Sequence, residues 1–212
     1  MQILYEDSKI VVAVKPCGVL STDEPGGMPS LVRTALGEGS CVYTVHRLDA
    51  AVGGVMVLAR TRHAASTLGC SVQEHRFQKE YLAVVRGEIP QGGELRDWLV
   101  RDTKERRTYA VPEPRQDARE AVLSYERLGV RDGLSLAHIQ LRTGRTHQIR
   151  CQFSARGWPL WGDRKYGRAE EGDIALWSYA LTFAHPVTGE ELHFEKRPPE
   201  AMPWELFTEE IP

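Results

Sequence analysis

Short apolar runs recur along the chain and are separated by polar or Gly- and Pro-containing segments. The runs that favour β-strands cover residues 10–14, 42–45, 55–59, 78–86, 134–141, 179–184 and 191–195. Residues 62–76 instead show the apolar spacing of a helix. The last two strands are joined by HPVTGE, a turn of hairpin length, which predicts antiparallel pairing. The pattern predicts an α+β fold with a mixed, largely antiparallel central sheet flanked by helices and loops.

The 212 residues contain no internal repeat, no low-complexity tract and no linker long enough to separate two domains. We therefore expect one domain over residues 1–212. Hydrophobic residues make up 42% of the chain and charged residues 26%, values typical of an ordered soluble protein. No signal peptide or membrane span is evident, so we expect a cytoplasmic protein. The His and Cys residues form no metal-binding motif, and no metal or cofactor is expected.

Charge is distributed unevenly along the chain. The total is 27 basic against 29 acidic side chains, a net charge of -2 that argues mildly against a nucleic-acid partner. Residues 101–168, however, hold 15 basic and 8 acidic side chains, a net +7, whereas residues 169–212 hold 2 and 10, a net -8. The basic segment either lines a groove for a polyanion or forms solvated faces that the acidic tail neutralises.

Two motifs carry candidate chemistry. In YTVHRLDAAVGGVMVLAR, a loop with His46, Arg47 and Asp49 lies between two apolar strands, so Asp49 either pairs with a cation or serves a reaction. In RTGRTHQIRCQFSARG, helical spacing follows the Thr-Gly pair, and Arg150 falls at the edge of the apolar stripe. The opposite flank carries Arg145, Gln148, Gln152 and Arg156, which we expect to reach solvent or phosphate.

These motifs, taken together, carry a resemblance. HRLD (46–49), KEYLAVVRG (79–87), LRTGRTHQIR (141–150), WPLWGDRKYG (158–167) and the closing HPVTGEELHFEKRPP are similar, in this order, to the RluA-type family of RNA pseudouridine synthases. The HRLD tetrapeptide alone is weak, but the ordered set is specific. The resemblance implies a pseudouridine-synthase catalytic domain that isomerises uridines in ribosomal or transfer RNA without a cofactor.

The resemblance also implies roles for particular residues. Asp49 is the expected catalytic carboxylate, Tyr81 the ring that packs on the flipped-out base, and Arg150 the cation paired with Asp49. Arg47 is expected to enter the RNA near the flipped nucleotide. Further RNA contacts are assigned to Arg145, Arg164 and Lys165. His46 and His147 are expected to be structural hydrogen-bonding groups, and Asp163 a turn residue.

The chain also departs from the family pattern. The family commonly continues after HRLD with a basic residue and Thr-Ser-Gly, whereas this chain has Ala50, Val52 and Gly53, which removes two hydroxyls. We expect Val52 packing to hold the loop instead. Residues 5–15 already resemble a catalytic-domain strand, so a separate N-terminal S4-like domain is not expected.

Two other functional classes remain open at this point. A noncatalytic RNA-binding module would keep the fold but would have no need of Asp49. A glycosidase would require a second carboxyl group as the acid, and no motif supplies one. Attack at the sugar C1′, adduct formation at C6 and a glycal route all remain possible for the synthase. We expect a monomer.

Overall fold

The computed structural model describes residues 1–37, 39–168 and 172–212. Its strands are β1 (Gln2–Glu6), β2 (Ile10–Lys15), β3 (Tyr43–Thr44), β4 (Gly53–Ala59), β5 (Gln78–Arg86), β6 (Gly92–Asp102), β7 (Arg107–Val111), β8 (Ala118–Arg131), β9 (Leu134–Leu141), β10 (Leu176–Ala184) and β11 (Glu191–Glu195). Its helices are α1 (Met28–Leu36), α2 (Arg62–Gln73), α3 (Gln148–Ala155) and a short 3-10 helix (Trp204–Phe207). The α+β class predicted from the sequence is confirmed.

Most of the predicted elements form at or near their expected positions. Strands β5, β9 and β11 match the predicted ranges to the residue, and α2 ends three residues before position 76. The β10–β11 hairpin is antiparallel, with Leu181 opposite Phe194. The sequence pattern missed α1, β1 and the three strands β6, β7 and β8.

The chain divides into two compact units by the density of its internal contacts. Unit 1 comprises Met1–Lys79 and Ser178–Lys196, and unit 2 comprises Glu80–Trp177 and Arg197–Pro212. The chain crosses from one unit to the other within β5 and within β10. The single domain expected over residues 1–212 stays a prediction.

Unit 1 is built on the strand order β1-β2-β4-β10, with β3 paired to β4 and β11 to β10. Every residue of β4 is buried, which explains why this strand reads as a continuous apolar run rather than an alternating one. Side chains of β2 and β4 supply two clusters, one on each side of the sheet. Phe77 and Phe183 stack in the first cluster with ring centroids 5.1 Å apart, and Met28 of α1 enters the second.

Unit 2 is an antiparallel sheet in the order β5-β9-β8-β6-β7. Helix α3 packs on this sheet through Phe153, whose ring lies 5.4 Å from that of Tyr125 on β8. The register shifts between Arg127 and Gly129, a bulge in β8 opposite β9. Among the described residues, no helix is both long and apolar enough to span a membrane.

Candidate active site

The HRLD loop connects β3 to β4 in unit 1. Hydrogen bonds to its main-chain N–H and C=O groups hold it in place. The Ser21 hydroxyl donates to the Leu48 carbonyl at 2.8 Å and accepts the Leu48 N–H at 3.0 Å. The Val52 N–H donates to the Asp49 carbonyl at 3.0 Å and closes a turn. Ser21 thus fixes the peptide groups immediately before Asp49.

Lys15 holds the other side of the same loop. Its side chain is fully buried at the end of β2. Its Nζ donates to the carbonyls of Ala50 at 2.9 Å, Pro16 at 2.9 Å and Val19 at 2.5 Å. The Gly18 N–H donates to the same Ala50 carbonyl at 2.8 Å. The peptide group between Ala50 and Ala51, one residue beyond Asp49, is therefore held by two donors.

Burial and charge act on the Lys15 ammonium in opposite directions. Burial disfavours its charged form and lowers its pKa to about 8, while the neighbouring Cys17 and Asp49 oppose that shift. Asp49 is half-buried and Arg47 is exposed. The loop thus carries Asp49 at a partly open position, with the buried Lys15 close enough to interact with its charge and the exposed Arg47 two residues earlier.

His46 has a structural position in this loop, as expected. It is buried, and its Nε2 accepts the Val57 N–H at 3.2 Å. Its ring lies 5.4 Å from that of Phe77. Burial, with a smaller effect of Lys79, lowers its pKa to about 3, so the imidazole is neutral at physiological pH. Its Nδ1 is buried without a hydrogen-bond partner among the described residues.

The residues that depart from the family pattern have a clear local structure. Val52 is 2% exposed and packs inward. Gly54 has φ +119°, and a Cβ at this position would lie 2.2 Å from the Ser178 carbonyl oxygen, so only glycine is accommodated. The burial of Val52 is in line with the packing expected from the sequence.

Tyr81 lies on β5 in unit 2, opposite Ile139 of β9, and is 6% exposed. Its neighbour Glu80 points to the other face of the sheet, where its carboxylate lies 2.7 Å from His138 Nε2. The register between β5 and β9 therefore determines on which face of the sheet the Tyr81 ring lies.

Arg150 lies in the first turn of α3 and forms a buried bidentate pair. Its Nε and Nη2 donate to the two carboxylate oxygens of Asp163, each at 2.8 Å. The Asp163 side chain is inaccessible to solvent and that of Arg150 is 9% exposed. Burial alone would raise the pKa of Asp163, but the Arg150 hydrogen bonds and charge outweigh it, so the pKa is lowered.

Asp163 is also the turn residue that the sequence predicts. Its Oδ1 accepts the N–H groups of Lys165 at 3.0 Å and Tyr166 at 3.1 Å. Gly162 allows this turn, because a Cβ there would lie 2.5 Å from the Asp173 carbonyl oxygen. The Asp163 carboxylate thus orders its own loop and also pairs with Arg150. The pairing with Arg150 was not predicted from the sequence.

Tyr166 connects this pair to the β6–β7 hairpin. The Cζ of Arg150 lies 5.2 Å from the centroid of the Tyr166 ring. The Tyr166 hydroxyl accepts the Thr108 N–H at 2.6 Å and lies 2.8 Å from His147 Nδ1. His147 adopts a left-handed conformation at the N-cap of α3. Its structural role is in line with the sequence interpretation.

Three of the four basic residues assigned to RNA, Arg145, Arg164 and Lys165, belong to the same unit as Arg150. Arg145 and Arg164 are exposed. Arg145 Nε donates to the Glu120 carbonyl at 2.9 Å, and Lys165 Nζ to the Arg106 carbonyl at 3.0 Å.

The expected polar flank of α3 is wrong at Gln148 and Gln152. Both are buried, and their side chains bond to the sheet: Gln148 Nε2 donates to the Val122 carbonyl at 3.2 Å, and Gln152 Nε2 to Asp97 at 2.6 Å. An amide can satisfy buried backbone groups, so helical position alone does not show which polar residue faces solvent.

The predicted residues therefore divide between the two units. Asp49 and Arg47 belong to unit 1, whereas Tyr81, Arg145, Arg150 and the Arg164–Lys165 pair belong to unit 2. The pairing of Arg150 with Asp49 stays a prediction. Lys15, Ser21 and Tyr166 were missed, and for Lys15 the signal was a lysine that closes a fully apolar strand.

Across residues 1–37, 39–168 and 172–212, no group of three or more His, Cys, Asp or Glu side chains is placed to hold a metal ion.

The fold and these motifs define a pseudouridine synthase. A sequence model of the family described as RNA pseudouridylate synthase matches residues 9–155. The chain is 32% identical over 224 residues to an uncharacterized RNA pseudouridine synthase of Aquifex aeolicus, covering 94% of this chain and 70% of the relative. It is 31% identical to the ribosomal large subunit pseudouridine synthase D of Neisseria meningitidis serogroup A, covering 92% of this chain and 57% of the relative.

The structure is also similar to two solved human proteins. RNA pseudouridylate synthase domain containing 4 matches with a TM-score of 0.77 and 24% identity, over 93% of this chain and 88% of that one. Human RNA pseudouridylate synthase domain containing 1 matches with a TM-score of 0.79 and 22% identity, over 94% of this chain and 84% of that one. These two support the fold. The chain belongs to the RNA pseudouridylate synthase family and is an RNA pseudouridine synthase, an isomerase.

Proposed function

We propose that this enzyme converts specific uridines of ribosomal RNA to pseudouridine, with Asp49 as the catalytic carboxylate. Several relatives, including those of Zymomonas mobilis and Neisseria meningitidis, are named ribosomal large subunit pseudouridine synthase D. This favours ribosomal over transfer RNA, the other substrate expected from the sequence. We place the enzyme in the cytoplasm, as a monomer that acts through one catalytic domain over residues 1–212.

The observation that carries the proposal is the clamped loop around Asp49. Ser21 binds both backbone groups of Leu48, and Lys15 with Gly18 binds the carbonyl of Ala50. The Asp49 side chain is nevertheless half-buried rather than enclosed. A carboxylate on a rigid main chain with partial access is suited to reaction with a substrate held in one orientation.

The reaction breaks the N1–C1′ bond, turns the uracil and forms a C5–C1′ bond, with loss of the C5 proton and gain of a proton at N1. It needs an ionised carboxylate and no redox partner. In our proposal Arg150 pairs with Asp49 and keeps it charged, because a nearby guanidinium favours the ionised form. Tyr81 stacks on the flipped-out base.

RNA affinity is proposed to come from the exposed basic residues. Arg47 lies next to the catalytic loop in sequence and is assigned to the space that the flipped nucleotide leaves. Arg145, Arg164 and Lys165 are assigned to phosphates. One N–H of the Lys165 ammonium donates to the Arg106 carbonyl. Because an ammonium has three N–H donors, two remain for a phosphate.

The test combines mapping of pseudouridines in cellular RNA with an assay of C5 hydrogen release by the purified protein. A strain that lacks this protein is expected to lose pseudouridine at defined sites of ribosomal RNA, and wild type but not Asp49→Ala is expected to restore them. Purified wild type should release the C5 hydrogen of uridine from unmodified ribosomal RNA. The Asp49→Asn variant should bind the same RNA but release no C5 hydrogen. Binding without release by the wild type would support a noncatalytic RNA-binding module. Loss of transfer-RNA sites alone would overturn the ribosomal assignment.

A further inference from the structure

The Arg150–Asp163 pair is more buried than the other Arg–Asp pair of the same helix. The side chains of Arg150 and Asp163 are 9% and 0% exposed, and those of Arg156 and Asp97 are 27% and 18% exposed. Removing two charges from water costs several kcal/mol per ion, so a buried pair of this kind is weak evidence for stability. What distinguishes the pair is the fixed, bidentate geometry that it gives the Arg150 guanidinium.

The guanidinium of Arg150 is held at one edge by Asp163 and on one face by Tyr166. Asp163 binds its side-on edge, Nε and Nη2, through two equal hydrogen bonds of 2.8 Å. The ring of Tyr166 lies against its face, with Cζ 5.2 Å from the ring centroid. Because Asp163 uses the side-on edge, any second carboxylate meets the end-on edge of a guanidinium that is already oriented.

The position of Asp163 is itself determined by its own loop. Two main-chain N–H groups, those of Lys165 and Tyr166, donate to Oδ1. Tyr166 is in turn held at its hydroxyl by the Thr108 N–H. The carboxylate cannot rotate without breaking these bonds, so it acts as a fixed reference for Arg150.

We propose that Asp163 is a positioning residue of the synthase reaction, which orients Arg150 toward the catalytic carboxylate without touching the substrate. This inference rests on the proposed function, in which Arg150 pairs with Asp49. A positioning residue acts through its partner, so its contribution must disappear when the partner is changed. A residue that only stabilises the fold contributes the same factor whichever partner is present.

The experiment is a double-mutant cycle on turnover, with Asp163→Asn, Arg150→Lys and the double variant. Release of tritium from uridine labelled at C5 in unmodified ribosomal RNA gives kcat and KM. Asp163→Asn is expected to lower kcat ~10–100-fold, the range that misplacement of a catalytic group produces. We expect KM to change by less than about threefold, because the Asp163 side chain is inaccessible to solvent and an Asn oxygen can still accept the Lys165 and Tyr166 N–H groups. In the Arg150→Lys background the same substitution should lower kcat by less than about threefold.

The matched control is Asp97→Asn, which breaks the Arg156 pair in the same unit. It should lower the unfolding temperature but leave kcat within about twofold of the wild type. Thermal unfolding of every variant separates stability from turnover. If Asp163→Asn does not fold, Asp163→Glu, which keeps the charge but displaces it by one methylene, takes its place in the cycle with the same coupling expected.

The outcomes separate this inference from the proposed function. Equal kcat losses from the Asp163 substitution in both backgrounds, or unchanged kcat in Asp163→Asn, would overturn the positioning role while Asp49-dependent activity stands. Wild-type protein that converts no uridine would overturn the proposed function and this inference with it.

Discussion

Three buried or half-buried charged residues organise the motifs of this enzyme, and each satisfies the chain around it. Lys15 binds three carbonyls, Asp163 binds an arginine and two N–H groups, and Asp7 binds two N–H groups and His185. Buried charges are costly unless they are hydrogen-bonded in this way. Composition and charge counts cannot identify such residues, because the hydrogen bonds join positions far apart in sequence, as Lys15 and Ala50 show.

Lys15→Met should destabilise the protein by about 2–4 kcal/mol at pH 7, because the Pro16 and Val19 carbonyls lose their Lys15 donor and the Ala50 carbonyl loses one of its two donors. Urea unfolding measures this change, and turnover should fall as the loop of Asp49 loosens. Lys104→Met, on an exposed turn, is the control and should stay within about 0.5 kcal/mol of the wild type. If the Lys15→Met protein were as stable as the Lys104→Met protein, Lys15 would not hold the loop of Asp49 through its hydrogen bonds.

At the scale of elements, apolar runs predicted the buried strands and missed the charge-rich strands β6 and β8. Strand β4 is buried throughout and β5 over most of its length, and both were predicted. Strands β6 and β8 carry charged residues that pair across the sheet, such as Arg96 of β6 with Glu120 of β8. Cross-strand ion pairs of this kind favour a strand only once the partner strand is in place, so the sequence pattern of one strand does not reveal them.

The same limit applies to the candidate site. The resemblance identified Asp49, Tyr81 and Arg150 by position within motifs. It did not identify Asp163 as the partner of Arg150, because residues 150 and 163 are connected by a helix end and a turn whose path the residue pattern does not define. Long-range partners need the fold, whereas motif residues do not.

Two turns of unit 1 are joined by a polar cluster that gives a pH-dependent prediction. Asp7 follows β1 and accepts the N–H groups of Lys9 and Ile10, while His185 follows β10 and lies 2.9 Å from the Asp7 carboxylate. Burial raises the pKa of Asp7, but these donors, the Tyr5 hydroxyl and His185 together lower it. Since the folded-state pKa is depressed, the cluster stabilises unit 1 above the unfolded-state pKa and is lost as pH falls through the folded-state pKa.

Asp7→Asn should therefore destabilise the protein by roughly 1–2 kcal/mol at pH 7. The difference from wild type should shrink below about pH 4, the ordinary pKa range of an aspartate. Chemical unfolding at a series of pH values measures it. Asp117→Asn, at an exposed position paired with Arg115, should show little pH-dependent difference. A gap between Asp7→Asn and wild type that persists unchanged to pH 2 would contradict the depressed pKa.

For the whole molecule, the net charge of -2 conceals how charges are paired. Unit 1 holds 9 basic and 10 acidic side chains and unit 2 holds 18 and 19, so each unit is close to neutral. Two acids of the tail, residues 170 and 171, lie outside the described residues. Tail residue Glu210 pairs with Arg131, whereas Arg142 and Arg156 pair with acids of β6. Glu210 of the tail thus neutralises Arg131 of the basic segment, while Arg145 and Arg164 are exposed.

This arrangement predicts that RNA affinity depends on salt despite the negative total. Each phosphate contact that a basic residue makes adds about 0.7–0.9 to the slope of log affinity against log salt. Arg164→Ala and Arg145→Ala should each reduce the slope by about that amount and raise KM, with kcat within about twofold of wild type. Arg131→Ala, whose guanidinium is paired with Glu210, should leave the slope unchanged. Equal slopes for all three variants would instead assign RNA binding to a different surface, because counterion release follows the residues that meet phosphate rather than the net charge of the chain.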